Sequence, residues 1–259
     1  MTSAMAQSDI GSRLGRIASR TSGQVSVCAR NLTTGEEVAL DPDTVLPTAS
    51  VIKLPILMTL FSAVAAGEVS LDARMDVGEQ DRVGGSGILS VFDEGLTPTI
   101  RDAAVLMIVL SDNTATNMIL RALGGTVQVN ALMERLGLAT VRLHNRVDFE
   151  AIGDDVRRFA EASPRELCTL SELIARRKFL STAACEGIEA ILEKQHYLDQ
   201  VPRYMRVNPY WRDLGQQPSF RLGCKTGFFP GTWVDAGIVR FGALAHRILL
   251  DRERAWCAV

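Results

Sequence analysis

Lysine is scarce in this chain of 259 residues. There are four (Lys53, Lys178, Lys194 and Lys225), against twenty-four arginines. Histidine is scarcer: the three residues His144, His196 and His246 lie far apart, without the spacing that gathers metal ligands. No metal and no cofactor is expected. The five cysteines (Cys28, Cys168, Cys185, Cys224 and Cys257) are odd in number and hold no C-x-x-C pair, so they read as reduced thiols. No apolar run reaches the roughly 20 residues of a membrane span. The formal net charge is −2, with no basic run, which argues against nucleic acid or an anionic membrane as partner. There is no internal repeat and no low-complexity segment. The first twenty residues alternate polar and apolar side chains and lack the continuous apolar stretch of an export signal. As written, the chain reads as cytoplasmic; a trimmed periplasmic or secreted protein would read the same.

What remains is ordinary globular composition, 47% hydrophobic and 22% charged, with clear periodicity. Residues 9–20 place Ile10, Leu14 and Ile17 on one helical face. The stretch GQVSVCARNLTTGEEVAL alternates, breaks at TTGE and resumes, which predicts a β-hairpin. Helical patterns follow at 50–66, 99–110, 114–123, 126–136, 163–177 and 181–195. Several carry start and stop signals: a Thr99-x-x-Asp102 cap, Ser163 before Pro164 and Gly67 after Ala66. Strand character returns at 219–229 and 232–241. With strands at both ends and helices between, the expected fold is α/β two-lobed (α+β): an antiparallel sheet flanked by helices, plus an inserted all-helical lobe. The whole chain, 1–259, reads as one domain, with a sheet lobe of about 1–46 and 216–259 and a helical lobe of about 47–215. A crevice between two such lobes suits a ligand.

Three short motifs carry the chemistry. In ASVIKLPIL, Ser50 stands three residues before Lys53, so both share a helix face. An apolar setting favours neutral lysine, because desolvation penalises the charge. A neutral amine can take the serine proton and make a nucleophile. The spacing alone is weak, since S-x-x-K occurs by chance about once in a chain of this length, and an exposed surface pair would look the same. Ser111-Asp112-Asn113 forms a polar knuckle between two apolar helices. Its simplest reading is a helix cap; its functional reading is a proton-relaying hydroxyl and a substrate-holding amide. Lys225-Thr226-Gly227 ends a strand. It is either a turn or an edge at which a charge, a hydroxyl and a small residue meet a substrate. Each exact tripeptide has a chance probability of only a few per cent at average composition, and all three occur in the order of a known catalytic set.

With GGSGIL (84–89), LSDNTATNMIL (110–120), SPREL (163–167) and GTWVDAGIV (231–239), these motifs make the chain resemble the class A-like serine β-lactamase family, from about Ile10 to Arg240. The resemblance implies a small-molecule acyl substrate, a β-lactam or a related amide or ester, opened through an acyl-enzyme on Ser50. It implies Lys53 as base or proton shuttle, Ser111 as relay to the leaving nitrogen and Asn113 as holder of the substrate's side-chain amide. Lys225 and Thr226 would bind a substrate carboxylate beside Gly227. The backbone N–H groups of Ser50 and Phe228 would form the oxyanion hole. Two departures stand out. The family's Glu-x-x-Leu-Asn loop, whose glutamate activates the deacylating water, has no counterpart in RVDFEAIGDDVRRFAEASPREL. Aligning on Arg146 nominates Asp148; Glu150 is the other nearby carboxylate; aligning on EAI nominates neither. Slow release would give a penicillin-binding-like acyl trap, or an esterase or acyltransferase acting on a metabolite. The second departure is the short tail GALAHRILLDRERAWCAV, which holds a strand or a short helix but not both at full length. RYMRVNPYWRDLGQQ (203–217) is either a lining of the cleft or a surface loop.

Overall fold

The structure is a computed structural model and describes residues 2–205, 213–216, 220–241 and 255–258, with side chains of residues 10–205, 213–216 and 220–241. Helix α1 (Thr2–Ala18) leads into the hairpin of β1 (Val27–Asn31) and β2 (Glu37–Leu40). Asn31 Oδ1 accepts from the N–H groups of Thr33 and Thr34, and Gly35 takes the left-handed φ of 76° that the turn needs. The long hairpin of β6 (Phe220–Phe229) and β7 (Thr232–Phe241) comes from the other end of the chain. Strand β8 (Ala255–Ala258) joins the two hairpins, in the order β2-β1-β8-β7-β6 and antiparallel throughout. The tail therefore supplies the strand that closes the sheet, with Ala29 opposite Ala258 and Ile238 opposite Cys257. The periodic stretch ALAHRILLDRER lies outside the described residues.

Between the hairpins the chain is mainly helical: α2 (Lys53–Ala65), α3 (Ile100–Val109), α4 (Asn113–Leu123), α5 (Thr126–Arg135), the short α6 (Phe149–Ile152), α7 (Pro164–Ala175) and α8 (Thr182–Leu192). The expected caps form. Thr99 and Asp102 make a capping box, Ser163 accepts from Glu166 N–H, and Gly67 has φ 75° just past α2. Three short strands were not legible in the sequence: β3 (Leu46–Pro47), β4 (Arg142–Leu143) and β5 (Ala160–Ala162), which form a small antiparallel sheet in the order β3-β5-β4. They are too short for a period to show.

Helix α2 is apolar on nearly every side, and ten of its thirteen residues are buried, which makes it the central helix of the core. The expected single helix over 50–66 divides in two. Ala49–Ile52 is a 3-10 turn, and the α-helix begins at Lys53. Helices α7 and α8 pack against the five-stranded sheet. Arg177 and Arg240 both pair with the buried Glu189, and Arg240 also donates to the Ala175 carbonyl at 2.8 Å, tying α7 and α8 to β7. Strand β6 is left as the edge strand, and the 3-10 turn docks against it. That contact brings SVIK and KTG together.

Candidate active site

The turn that carries Ser50 is held at both ends. Ala49 has a φ of 42°, a conformation that costs free energy in a residue with a Cβ and persists only where its surroundings enforce it. In a 3-10 turn, residues three apart eclipse one another, so Ser50 and Lys53 align more closely than on an α-helix. Ser50 is half-buried and faces two cavities. Opposite it, β6 passes so close that a Cβ on Gly227 would lie 2.7 Å from the Thr48 carbonyl and 3.0 Å from the Ser50 nitrogen. Only glycine allows this approach. The third KTG residue thus sets the distance between the edge strand and the Ser50 backbone.

Lys53 is fully buried. Its Nζ donates to the Ser111 carbonyl at 2.6 Å, to Ser111 Oγ at 3.1 Å and to Asn113 Oδ1 at 2.8 Å. Burial holds its pKa well below the usual lysine value, and nearby Lys225 pushes the same way; Asp112 opposes them. The acceptors that surround the ammonium keep the site organised, and loss of one proton leaves an amine lone pair beside the Ser111 hydroxyl.

Ser111-Asp112-Asn113 takes the cap reading in Asp112 and sets Ser111 and Asn113 against Lys53. Asp112 is the N-cap of α4, with Oδ1 accepting from Ala115 N–H at 2.8 Å. Its Oδ2 accepts from the N–H groups of Ile88 and Leu89 at 2.7 and 2.9 Å, pinning the GGSGIL segment. A Cβ on Gly87 would sit 2.3 Å from that carboxyl, which accounts for one of the segment's glycines. Ser111 has a φ of 52°, strained for a residue with a side chain, and its hydroxyl is placed against Lys53. Asn113 spends its oxygen on Lys53 and donates Nδ2 to the Gly84 carbonyl at 2.9 Å.

Lys225 is also fully buried. It does not line either cavity, and its Nζ donates to the Thr226 carbonyl at 2.6 Å. Burial lowers its pKa to about 7, against the attraction of Cys224 and Asp235. Asp235, paired with Thr226 across the β6–β7 ladder, is pushed up to about 7 by its own burial. Its Oδ2 accepts from Val201 N–H at 3.1 Å. The Thr226 hydroxyl donates to the Tyr197 carbonyl at 3.1 Å, and Gln200 Nε2 donates to the Gly227 carbonyl at 3.1 Å. These bonds strap residues 197–201 over the end of KTG.

One cavity, of about 300 Å³, runs from Ser50, Ser86 and Asn113 to Val147, Phe149, Ile152, Val156 and Phe159, with Phe228 and Phe229 on its rim. No carboxylate lines it among the described residues. Asp148 turns its carboxylate to the Glu150 and Ala151 N–H groups at 3.0 and 3.2 Å, as the N-cap of α6, and Glu150 is exposed. Neither is brought to the cavity. The other cavity, of about 360 Å³, shares Ser50, Ser86 and Phe228 and adds Ser111, Thr226, Tyr197, Asp199, Gln200 and Trp233. Within the suspected cleft-lining segment 203–217, the described residues line neither cavity; the stretch just before it, 197–200, does. Tyr197, Asp199 and Gln200 carried no sequence signal, because a loop of mixed polarity has no period. Ser86 and Trp233 lay inside recognised landmarks, GGSGIL and GTWVDAGIV, without being singled out.

Residues 9–254 match the family described as Beta-lactamase enzyme family. Beta-lactamase regulatory protein BlaB of Streptomyces cacaoi is 37% identical over 94 residues, which is 36% of this chain and 30% of that protein. The chain thus matches about a third of that curated relative's length. Among solved structures, PBP-A superposes with a TM-score of 0.80 at 26% identity, covering 96% of this chain and 85% of that one. A β-lactamase from Sphaerobacter thermophilus gives 0.81 at 25%, covering 96% and 86%.

Proposed function

The chain belongs to the beta-lactamase enzyme family, and on that premise we propose that it opens an amide or ester, a β-lactam among them, through an acyl-enzyme on Ser50. The observation that carries the proposal is the buried Lys53, hydrogen-bonded to both polar groups of Ser111 and to Asn113 beside a nucleophile that opens onto two cavities. A lysine kept from water and set against another lysine gives up its proton readily. Neutral Lys53 takes the Ser50 proton as Oγ attacks the acyl carbon. The Ser50 N–H, beside Gly227, and the Phe228 N–H receive the developing oxyanion. Ser111 delivers a proton to the leaving atom.

Release of the acyl group is the slow half of this cycle. The cavity beside Asn113 is walled by Val147, Phe149, Ile152, Val156 and Phe159, side chains that exclude water and accept no proton. This supports a second reading, a penicillin-binding-like protein that captures an acyl group and holds it. Mixing the protein with a chromogenic cephalosporin and taking intact mass over time separates the two. Steady turnover lost in Ser50→Ala identifies a hydrolase; a lasting adduct on Ser50 without turnover identifies a trap. Absence of any adduct with β-lactams and activated esters overturns both.

A further inference from the structure

The two cavities meet at Ser50 and serve different sides of the scissile bond. The larger holds Ser111, the hydroxyl assigned above to the departing atom, so the leaving group belongs there. The smaller, of about 300 Å³, is left for the acyl group. The stretch that lacks the Glu-x-x-Leu-Asn loop supplies much of its lining. Val147, Ile152, Val156 and Phe159 form the buried part, none more than 7% exposed. Phe149 lies at the opening, its ring 42% exposed. That ring reaches across to the GGSGIL segment: a Cβ on Gly85 would lie 3.1 Å from it and 2.9 Å from Asn113 Nδ2. Among the described residues no charged side chain lines this cavity. Its one amide, Asn113, already bonds Lys53 through its oxygen and the Gly84 carbonyl through its nitrogen.

We propose that this cavity selects an extended, uncharged apolar acyl group, with Phe149 as a specificity-determining residue, and that the same group keeps water from the acyl-enzyme it forms. The proposal rests on the acyl-enzyme reading above. Each methylene moved from water into an apolar lining gains about fourfold in binding, whereas a charged end would be desolvated there without a partner. A resident water needs two to four polar partners. A short acyl group leaves room for one near Ser86 and Asn113; a chain that fills the cavity takes that room. In acylation the Ser50 Oγ–acyl bond forms as the bond to the leaving atom breaks, and the serine proton passes through Lys53 and Ser111 to that atom. In release water adds to the acyl carbon, the acid departs and Ser50 Oγ regains a proton. Nothing is oxidised or reduced.

The test uses p-nitrophenyl esters that share a leaving group and differ only in the acyl part: acetyl, butanoyl, hexanoyl, phenylacetyl and 6-aminohexanoyl. Acylation of the full chain is followed by nitrophenolate release and intact mass, each rate divided by that ester's spontaneous hydrolysis. The hexanoyl ester should acylate Ser50 at least about tenfold faster than the acetyl ester, since it adds four methylenes, with butanoyl between them and phenylacetyl near hexanoyl. The 6-aminohexanoyl ester, of equal length with an ammonium at its end, should do no better than acetyl. Release, read as loss of the added mass once free ester is removed, should run the other way, with the acetyl group leaving first. The hexanoyl-to-acetyl ratio should fall severalfold in Phe149→Ala, and 6-aminohexanoyl should gain on hexanoyl in Phe149→Glu. The ring is half-exposed, so neither variant opens the core. A flat acylation series, a 6-aminohexanoyl ester that matches hexanoyl, release that does not slow with chain length, or ratios unmoved in both variants overturns the inference while the acyl-enzyme reading stands. If no ester is opened at Ser50, that reading falls and the inference with it.

Discussion

The surroundings of Lys53 and those of the cavity at Val147–Phe159 lie on either side of Ser50 and are built on opposite principles. Around Lys53, polar groups are buried and every one is committed: three bonds from the ammonium, three backbone N–H groups on Asp112, and a strained Ser111 held between them. Across Ser50, the wall is apolar, and the Asp148 carboxylate serves its own helix. Buried polar networks are costly unless fully satisfied, so the first region is worth its cost only where a proton has to move. The second region costs little and moves none. On the proposed reading, bond formation at Ser50 has buried polar groups at hand, and the wall across from it offers none to a water.

The sharpest break in that comparison is removal of the base. Lys53→Ala should lower the rate of acylation by about 10²–10⁴, the usual contribution of a positioned general base, measured by mass with benzylpenicillin. In the wild type, acylation should fall about tenfold per pH unit below the Lys53 pKa, because only the neutral amine accepts the serine proton. That pKa lies well below the ordinary lysine value, so activity should persist at pH values where a solvent-exposed lysine base would be silent. A Lys53→Ala variant that acylates normally would remove the contrast between the two regions.

Next in size is Gly227→Ala. Its Cβ would come within 2.7 Å of the Thr48 carbonyl and 3.0 Å of the Ser50 nitrogen, and backbone atoms do not yield as a side-chain tip does. Spreading β6 from the turn displaces an oxyanion donor, a loss of roughly 10²–10³ in rate, with about 1–3 kcal/mol of overpacking in thermal unfolding. An unimpaired rate would show that the close approach matters for packing alone.

These residues also mark what could be read without coordinates. The three motifs, their order and the helix caps were legible because each depends on local chemistry: Thr99 and Ser163 cap their own helices, and Ser50 and Lys53 lie one turn apart. The role of Gly227 as a spacer against Ser50 was not, since it depends on two segments 177 positions apart in the numbering meeting at a sheet edge. Nor was the division of the cleft, because Phe149 opens a four-residue helix and Tyr197 and Asp199 lie in a loop, segments too short or irregular to show a period. Within the tail, the described residues 255–258 form β8 through pairing with β1 and β7, long-range partners that those four residues could not announce.

A smaller effect concerns the charges kept beside the cleft. Asp235 holds its proton up to about pH 7 in the folded chain, against 3.8 for its ordinary value. Between those values the folded chain binds more protons than the unfolded one, so this group makes stability fall as pH rises. Lys225 works in the opposite sense: with its pKa lowered from 10.5 to about 7, the unfolded chain binds more protons above pH 7, and stability rises from there. Asp235→Asn keeps an acceptor for the Val201 N–H and removes only the acidic slope. The Tm of the variant relative to wild type should therefore climb from pH 4 to pH 7, by roughly 2–4 °C per kcal/mol for a chain of this size. A flat difference would place Asp235 in water or in a permanent ion pair.

The smallest expected effect tests the apolar side directly. Asp148→Asn should leave the rate of acyl release from Ser50 unchanged within about twofold, and Glu150→Gln the same. Asparagine caps a helix as well as aspartate does, so the Glu150 and Ala151 N–H groups keep their acceptor and α6 keeps its place. Glu150 is exposed and contacts neither cavity. A deacylating base must reach the water it activates directly or through one further water, and neither carboxylate lines the cavity beside Asn113. A tenfold loss of release in Asp148→Asn, with acylation intact, would mean that the loop rearranges once Ser50 is acylated and brings Asp148 inward. The apolar wall would then belong to the resting site alone.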